Sequence, residues 1–142
     1  MITAEDIDAF KDIQDQFREW VETPNIMQMV EDFRFTAGQD KNPFVSKTLV
    51  VEEYLEWSAE AFNLVVHKRY SKEDELKELA DLVYVIFGYA NSLGWDLNKA
   101  VKRIHENNMG RMYQPDGTIE YREDGKVMKN KSYPKVNLED LV

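Results

Sequence analysis

The stretch ELADLVYVIFGYA, residues 78 to 90, contains the feature that decides the fold of this chain. From Leu79 to Ala90 its only charged residue is Asp81. A segment that is apolar around its whole circumference predicts a helix packed inside a helical bundle. A carboxylate buried there is unfavourable by several kcal/mol unless a cation or hydrogen-bond donors compensate it. Asp81 therefore indicates a partner that another part of the fold supplies.

The composition is that of one globular domain. The chain has 142 residues, of which 43% are hydrophobic, and this length is sufficient for a hydrophobic core. It has no cysteine, which excludes disulfides, thiolate metal sites and a cysteine nucleophile. No apolar run has the length of a membrane span, and the acidic N-terminus lacks the pattern of a signal peptide. We therefore expect a soluble, cytoplasmic protein without a membrane partner.

The charge is unevenly distributed along the chain. The net charge of −9 argues against a nucleic-acid polymer as partner, because binding to a phosphate backbone needs a basic face. Residues 99–135, however, contain nine of the 18 basic residues and only five of the 27 acidic ones. The sequence thus predicts an acidic body followed by a basic C-terminal segment.

Apolar spacing and capping residues predict five helices. Thr3, Ser46, Ser71 and Asp96 are the expected N-terminal caps. Pro24 is expected to end the first helix, and Gly94 is expected to end the fourth one. The predicted helices span residues 4–21, 25–36, 46–67, 71–93 and 96–112.

The remainder of the chain has a different character. The stretch GTIEYREDGKVMK, residues 117–129, alternates around Asp124 and Gly125, which predicts a β-hairpin with a two-residue turn. Residues 130–142 show no period and predict an arm that lies on the surface or on a partner. We predict an all-α antiparallel bundle of four to five helices with a short C-terminal β-hairpin and an extended arm. This single domain spans 1–142, with a helical core at 4–112 and the basic hairpin and arm at 113–142.

The third predicted helix has a face of uncompensated carboxylates. Its apolar residues fall on one arc, and the opposite side has Glu52, Glu53, Glu56 and Glu60. Such a face is usually solvated, but no Lys or Arg occurs between positions 47 and 68, and like-charged neighbours on a helix are mildly destabilising. This pattern favours a bound cation.

The fourth predicted helix supplies a second pair of carboxylates. Glu78 and Asp81 are three residues apart and therefore share one face. Antiparallel packing through these faces would bring Glu53 and Glu56 opposite them, where four carboxylates cannot all ionise without a cation. Oxygen-only ligation selects Mg²⁺, with Mn²⁺ as a substitute, over zinc or copper. A di-iron bundle is excluded because neither histidine belongs to a Glu-x-x-His pair.

A carboxylate-held Mg²⁺ keeps open positions for water and for substrate phosphates. The basic segment offers Arg111, Arg122, Lys126 and Lys129 as phosphate-binding residues. Solubility is an equally good explanation of these positive charges.

At these positions the sequence resembles a known family. EEYLE at 52–56, a 21-residue gap and ELAD at 78–81 match the E-E-x-x-E…E-x-x-D signature of all-α nucleotide pyrophosphohydrolases, which include MazG-like enzymes and phosphoribosyl-ATP pyrophosphohydrolase. The segments VEDFRFTAGQ (30–39) and NNMGRMYQPDGTIEYREDGKVMKNKSYP (107–134) resemble the phosphoribosyl-ATP pyrophosphohydrolase-like branch that phages often encode. Arg111 stands where that branch has lysine. The resemblance covers residues 25–135 and not the first helix.

The resemblance implies Mg²⁺-dependent hydrolysis of a nucleoside triphosphate to the monophosphate and pyrophosphate by a homodimer or homotetramer. It implies catalytic roles for Glu52 and Glu53, with Glu52 as a further ligand or as the base that orients the attacking water. The implied metal ligands are Glu53, Glu56, Glu78 and Asp81. We further expect Asn108, Arg111, Lys126 and Lys129 to bind phosphates, within one subunit or across an interface. Phe35, Gln39 and Trp57 are candidates for a base pocket, although aromatic residues at helical spacing are more often part of a core.

Three questions stay open at this point. Phosphoribosyl-ATP is an alternative substrate, and the sequence does not determine whether a particular deoxynucleotide such as dGTP is preferred. A different class of function is a non-catalytic acidic helical interaction protein that mimics nucleic acid. Such a mimic would have exposed carboxylates, whereas Asp81 is expected among apolar neighbours.

Overall fold

The structure, a computed structural model, describes residues 1–22, 25–66 and 71–142. These residues form five helices, a two-stranded antiparallel sheet and a final 3-10 turn, which confirms the predicted all-α fold with a C-terminal hairpin. The elements are α1 (Ala4–Glu22), α2 (Ile26–Thr36), α3 (Pro43–Val66), α4 (Lys72–Leu93), α5 (Leu97–Arg111), β1 (Glu120–Tyr121), β2 (Val127–Met128) and η1 (Glu139–Leu141). The predicted helix ends at Pro24 and His67 lie outside the described residues.

Most of the predicted caps are confirmed. Thr3, Ser71 and Asp96 each accept the backbone N–H three residues further on, at 3.1, 3.2 and 3.0 Å. Gly94 adopts the left-handed conformation with φ 74°, which a residue without Cβ adopts at little cost. These contacts fix the beginnings of α1, α4 and α5 and the end of α4.

The cap predicted at Ser46 is wrong. Helix α3 begins three residues earlier, at Pro43, and the side chain of Asn42 accepts the N–H of Val45 at 3.2 Å. Proline is favourable in the first turn because its φ is already helical and its missing N–H would have had no helical partner. The Asn-Pro pair therefore starts the helix before Ser46 can cap it.

Helix α4 packs against both α3 and α2. Helices α3 and α4 are joined by five residues (67–71) and form the main helix pair. On the other side, Phe33 of α2 meets Tyr84 edge-on with ring centroids 6.2 Å apart, and Glu31 interacts with Asn91. Helix α2 therefore runs antiparallel to α4.

Few apolar side chains are buried in the part of the chain that the structure describes. Val30, Ala90 and Leu141 are the buried apolar residues among those described, and α4 is half-exposed rather than enclosed as predicted. The accessible surface is 11672 Å², whereas a folded monomer of 16.7 kDa exposes roughly 7,600 Å². Helix α1 contributes to this excess, since Ile7, Phe10 and Ile13 are all exposed. None of the described helices is long and apolar enough to cross a membrane.

The hairpin is confirmed, but its turn is longer than predicted. Tyr121 pairs with Val127, and the N–H of Arg122 donates to the carbonyl of Lys126 at 2.7 Å, which leaves a three-residue loop (123–125) centred on Asp124 instead of a two-residue turn. Gly125 has φ 83°, and its N–H donates to the carbonyl of Arg122 at 2.8 Å. A tight turn followed by a left-handed glycine is the common form of a three-residue hairpin loop.

The C-terminal arm lies on helix α5 of its own chain. Arg103 donates to both carboxylate oxygens of Asp140 at 2.5 and 2.7 Å, and Asn107 donates to the carbonyl of Pro134 at 2.8 Å. The Arg103 hydrogen bonds lower the pKa of Asp140 to about 2. Near the middle of this contact, the ring of Tyr133 covers Gly110 so closely that a Cβ there would overlap it.

Gly110→Ala should loosen the arm, because the added methyl group displaces the Tyr133 ring. We expect faster hydrogen exchange of the arm amides (130–142), and recovery in the double variant Gly110→Ala/Tyr133→Ala. The matched control is Gly88→Ala in α4, where a Cβ meets nothing within 4 Å. The control should gain about 0.5–1 kcal/mol of helix stability and leave arm exchange unchanged. Equal exchange in the two single variants would contradict the docked arm.

Candidate metal centre

Three carboxylates meet where α3 packs on α4. Glu53 comes from α3, and Glu78 and Asp81 come from consecutive turns of α4. One oxygen from each residue lies within 4.8 Å of the other two. The structure thus brings together three of the four residues expected to bind a metal.

The inner part of this cluster lacks compensating partners. One carboxylate oxygen each of Glu53 and Glu78 (Oε2) is buried and has no hydrogen-bond partner. Burial, followed by the nearby charges of Glu56, Asp81 and Glu78, raises the pKa of Glu53. Each effect disfavours the ionised carboxylate, so an added cation at this point would be stabilising.

Lys77 is the partner of Asp81 in this structure. Its ammonium nitrogen lies 2.8 Å from Asp81 Oδ2 and 3.2 Å from Glu78 Oε1. The hydrogen bonds to Asp81 and then to Glu78 raise the pKa of Lys77, which keeps the ammonium charged. The Asp81 side chain is 44% exposed and is therefore less buried than its apolar neighbours predict.

Sequence reasoning missed Lys77, although a signal was present. Lysine four residues before an aspartate places the two side chains on adjacent turns of one helix face. The Lys77 side chain is 63% exposed, so its ammonium can leave the cluster for water without breaking a packed contact. In this structure it acts as the counter-cation of Glu78 and Asp81.

The donor set fits a divalent cation that prefers oxygen. All three clustered groups are carboxylates, and two of their oxygens are buried without a partner. Mg²⁺ and Mn²⁺ prefer such ligands, and Mg²⁺ commonly takes one or two carboxylates while keeping several waters. Glu53, Glu78 and Asp81 would hold the ion.

The other predicted carboxylates lie beside the cluster. Glu56 is exposed and lies outside the group of three, but it is close enough to be the largest charge effect on Glu53. Glu52 is exposed on the neighbouring part of α3. Both remain within one helical turn of Glu53.

Three of the four predicted phosphate-binding residues lie together at the end of α5. The side-chain oxygen of Asn108 accepts from Arg111 at 3.2 Å and from Lys129 at 3.1 Å. The Nε of Arg111 is buried and has no hydrogen-bond partner. Lys126 is exposed directly after the hairpin loop. Within the described residues, no hydrogen bond or ion pair joins this basic cluster to the three carboxylates.

The three candidates for a base pocket lie in separate local contacts. Phe35 is 81% exposed, and the backbone carbonyl of Gln39 accepts from Arg34 at 2.9 Å. Trp57 is half-buried, and its ring lies 6.1 Å from that of Tyr54. None of these contacts brings the three predicted residues to one cavity.

Comparison of the chain with models of known protein families gives no match. A search among curated proteins also finds no significantly similar chain.

Replacing Lys77 tests whether a metal ion compensates the same carboxylates as the Lys77 ammonium. In EDTA, Lys77→Gln should lower the Tm by a few degrees, because the carboxylates lose their ammonium partner. Adding Mg²⁺ or Mn²⁺ should then raise the Tm by more than in the wild type, since the ion no longer competes with the ammonium. Scanning fluorimetry measures both effects, and the charge-matched control is Lys47→Gln, an exposed position on α3. A metal response identical in the two variants would exclude a site next to Lys77.

Proposed function

We propose that this chain is a Mg²⁺-dependent nucleoside triphosphate pyrophosphohydrolase of the all-α, MazG-like type. The proposal is carried by one observation: Glu53, Glu78 and Asp81 converge, and two of their oxygens are buried without a partner. These residues occupy three positions of the E-E-x-x-E…E-x-x-D signature. The match between signature and geometry supports cleavage to a nucleoside monophosphate and pyrophosphate.

A bound Mg²⁺ would neutralise charge on the phosphate chain and lower the pKa of a coordinated water. Within the protein, Glu53, Glu78 and Asp81 would hold the ion, and Glu56 would strengthen the negative potential around it. Glu52, one residue from Glu53 and exposed, would orient the attacking water and accept its proton. Its exposure allows the proton to pass on to solvent.

We further propose that the working form is a homo-oligomer, a dimer or a tetramer. The chain exposes roughly 4,000 Å² more than a folded monomer of its mass, and a standard interface buries about 800 Å² per partner. Large apolar side chains of the main helix pair, such as Val51, Leu55 and Leu79, are 52%, 59% and 42% exposed. A second copy would cover this surface and complete the bundle.

An oligomer also explains where the phosphate-binding residues act. Asn108, Arg111 and Lys129 form one cluster beside the hairpin, without a contact to the carboxylates of their own chain. Together with Lys126 they would bind the substrate phosphates held at a neighbouring subunit's carboxylates. The guanidinium of Arg111 would donate to a phosphate oxygen.

The reaction is tested by product analysis. The protein is incubated with Mg²⁺ and each of the eight common nucleoside and deoxynucleoside triphosphates, and products are separated by ion exchange. We expect the monophosphate and pyrophosphate in equal amounts from at least one of them. Phosphoribosyl-ATP is the next substrate if none is cleaved. If the protein binds the metal but cleaves none of these substrates, the proposed enzymatic activity is contradicted and an acidic interaction protein is favoured.

Asp81→Asn should reduce turnover at least about 100-fold, because it removes one charged ligand while preserving shape. Its Tm in EDTA should equal or exceed that of the wild type, since one like charge is lost. The charge-matched control is Asp74→Asn in the first turn of the same helix, which should keep full turnover. Full activity of Asp81→Asn would refute the assignment of the site.

The oligomer makes a separate prediction. Analytical ultracentrifugation should give a mass of at least twice 16.7 kDa at micromolar concentration. Leu55→Glu should shift the protein toward monomer, because it places a charge in the exposed apolar face of α3. Lys47→Glu, on the same helix, changes charge at an exposed polar position and serves as control. A wild-type monomer would contradict the proposed assembly.

A further inference from the structure

A cavity lies away from the candidate metal centre, between the beginning of α2, the end of α4 and the beginning of α5. Its volume is about 670 Å³, which falls within the usual range for small-molecule sites. Asn91 lines it from α4, ten residues beyond Asp81. Ten residues of helix span roughly 15 Å, so the cavity is a different place from the candidate metal centre.

The cavity has more basic than acidic lining residues, although the chain as a whole has a net charge of −9. Lys41, Lys99 and Lys102 line it, and Lys102 has only a long contact of 4.0 Å with Glu106. Two carboxylates, Glu31 and Asp96, also line it, but both are already engaged.

Both carboxylates have hydrogen-bond partners other than the side chains of the three lysines. Glu31 binds Arg34 at 2.6 Å, and this contact, with a hydrogen bond from Asn91, lowers the pKa of Glu31. Asp96 uses its carboxylate to cap α5 through the backbone N–H of Lys99 at 3.0 Å. A concave surface with surplus positive charge concentrates small anions.

Trp95 adds a planar apolar surface to this cavity. Its side chain is 40% exposed although it follows directly on the last turn of α4. Two contacts hold it there: the backbone N–H donates to Ala90 at 3.0 Å, and the ring meets Tyr89 edge-on at 6.2 Å. An indole fixed beside cationic side chains is suited to a flat, anionic ligand.

Side-chain amides complete the wall. Asn98 donates to the side-chain oxygen of Asn25 at 3.1 Å, which joins the beginnings of α5 and α2, and Gln28 lies one turn further along α2. Amides present both donors and acceptors, as the edge of a nitrogen heterocycle requires.

We propose that this cavity binds a planar heterocycle carrying a phosphate group, that is, a ligand of the nucleoside monophosphate class. Lys99 and Lys102, one turn apart on α5, bind the phosphate, and Trp95 stacks on the ring. Inorganic phosphate shares the anionic part of this chemistry but not the ring. The site needs no metal ion and acts independently of the reaction proposed above.

The test is isothermal titration calorimetry of the full chain in EDTA with AMP, GMP, CMP, UMP and inorganic phosphate. We expect at least one nucleotide to bind with a Kd below about 1 mM, and more tightly than phosphate. Lys99→Gln/Lys102→Gln should weaken that binding about tenfold or more. The control Lys131→Gln/Lys135→Gln removes the same charge from the arm and should leave it unchanged.

The outcomes separate this site from the metal centre. Binding in EDTA should persist in Asp81→Asn. The ligand should quench the tryptophan fluorescence of Trp57→Phe, which keeps Trp95. It should quench the fluorescence of Trp95→Phe much less. Phosphate binding as tightly as every nucleotide would overturn the stacking role of Trp95. Equal affinity in the two double variants, or no nucleotide binding at all, would overturn the site.

Discussion

The structure depends on how α3 and α4 hold three carboxylates together. Packing of the two helices brings Glu53 next to Glu78 and Asp81 and removes two of their oxygens from water. Repulsion and desolvation both oppose such a cluster, so a cation would stabilise it. The Lys77 ammonium supplies one positive charge from the more exposed side, which leaves the two buried oxygens unsatisfied. The proposed divalent ion would compensate both sides of the cluster.

The same helix pair is the basis of the proposed association between copies of the chain. Carboxylates occupy part of the interface between α3 and α4, so less of its area is available for apolar packing. Few of the described apolar side chains are buried. Polar contacts hold the rest of the chain in place: the Arg103–Asp140 pair ties the arm to α5, and Asn98 ties α5 to α2. Such contacts specify positions but bury little apolar surface. The proposed working form is therefore an association of several copies.

Features that depend on neighbouring residues were predictable from the sequence. The caps at Ser71, Asp96 and Gly94 follow from side chain and backbone chemistry within one turn, as does the pairing of Glu78 with Asp81 on one face. Competing local signals caused the errors: Asn42 and Pro43 start α3 before Ser46, and a left-handed Gly125 fits a three-residue loop as well as a two-residue one. The exposure of Asp81 and the docking of the arm depend on contacts between distant residues, which no local pattern contains.

The central claim is that Glu53, Glu78 and Asp81 hold a divalent cation. The most direct measurement is an anomalous difference map from crystals grown with Mn²⁺, compared with crystals grown in EDTA. The claim predicts one strong peak within coordination distance of carboxylate oxygens from all three residues, with the Lys77 ammonium displaced from Asp81. A map without a peak there, with Lys77 still bound between Glu78 and Asp81 at saturating Mn²⁺, would contradict it.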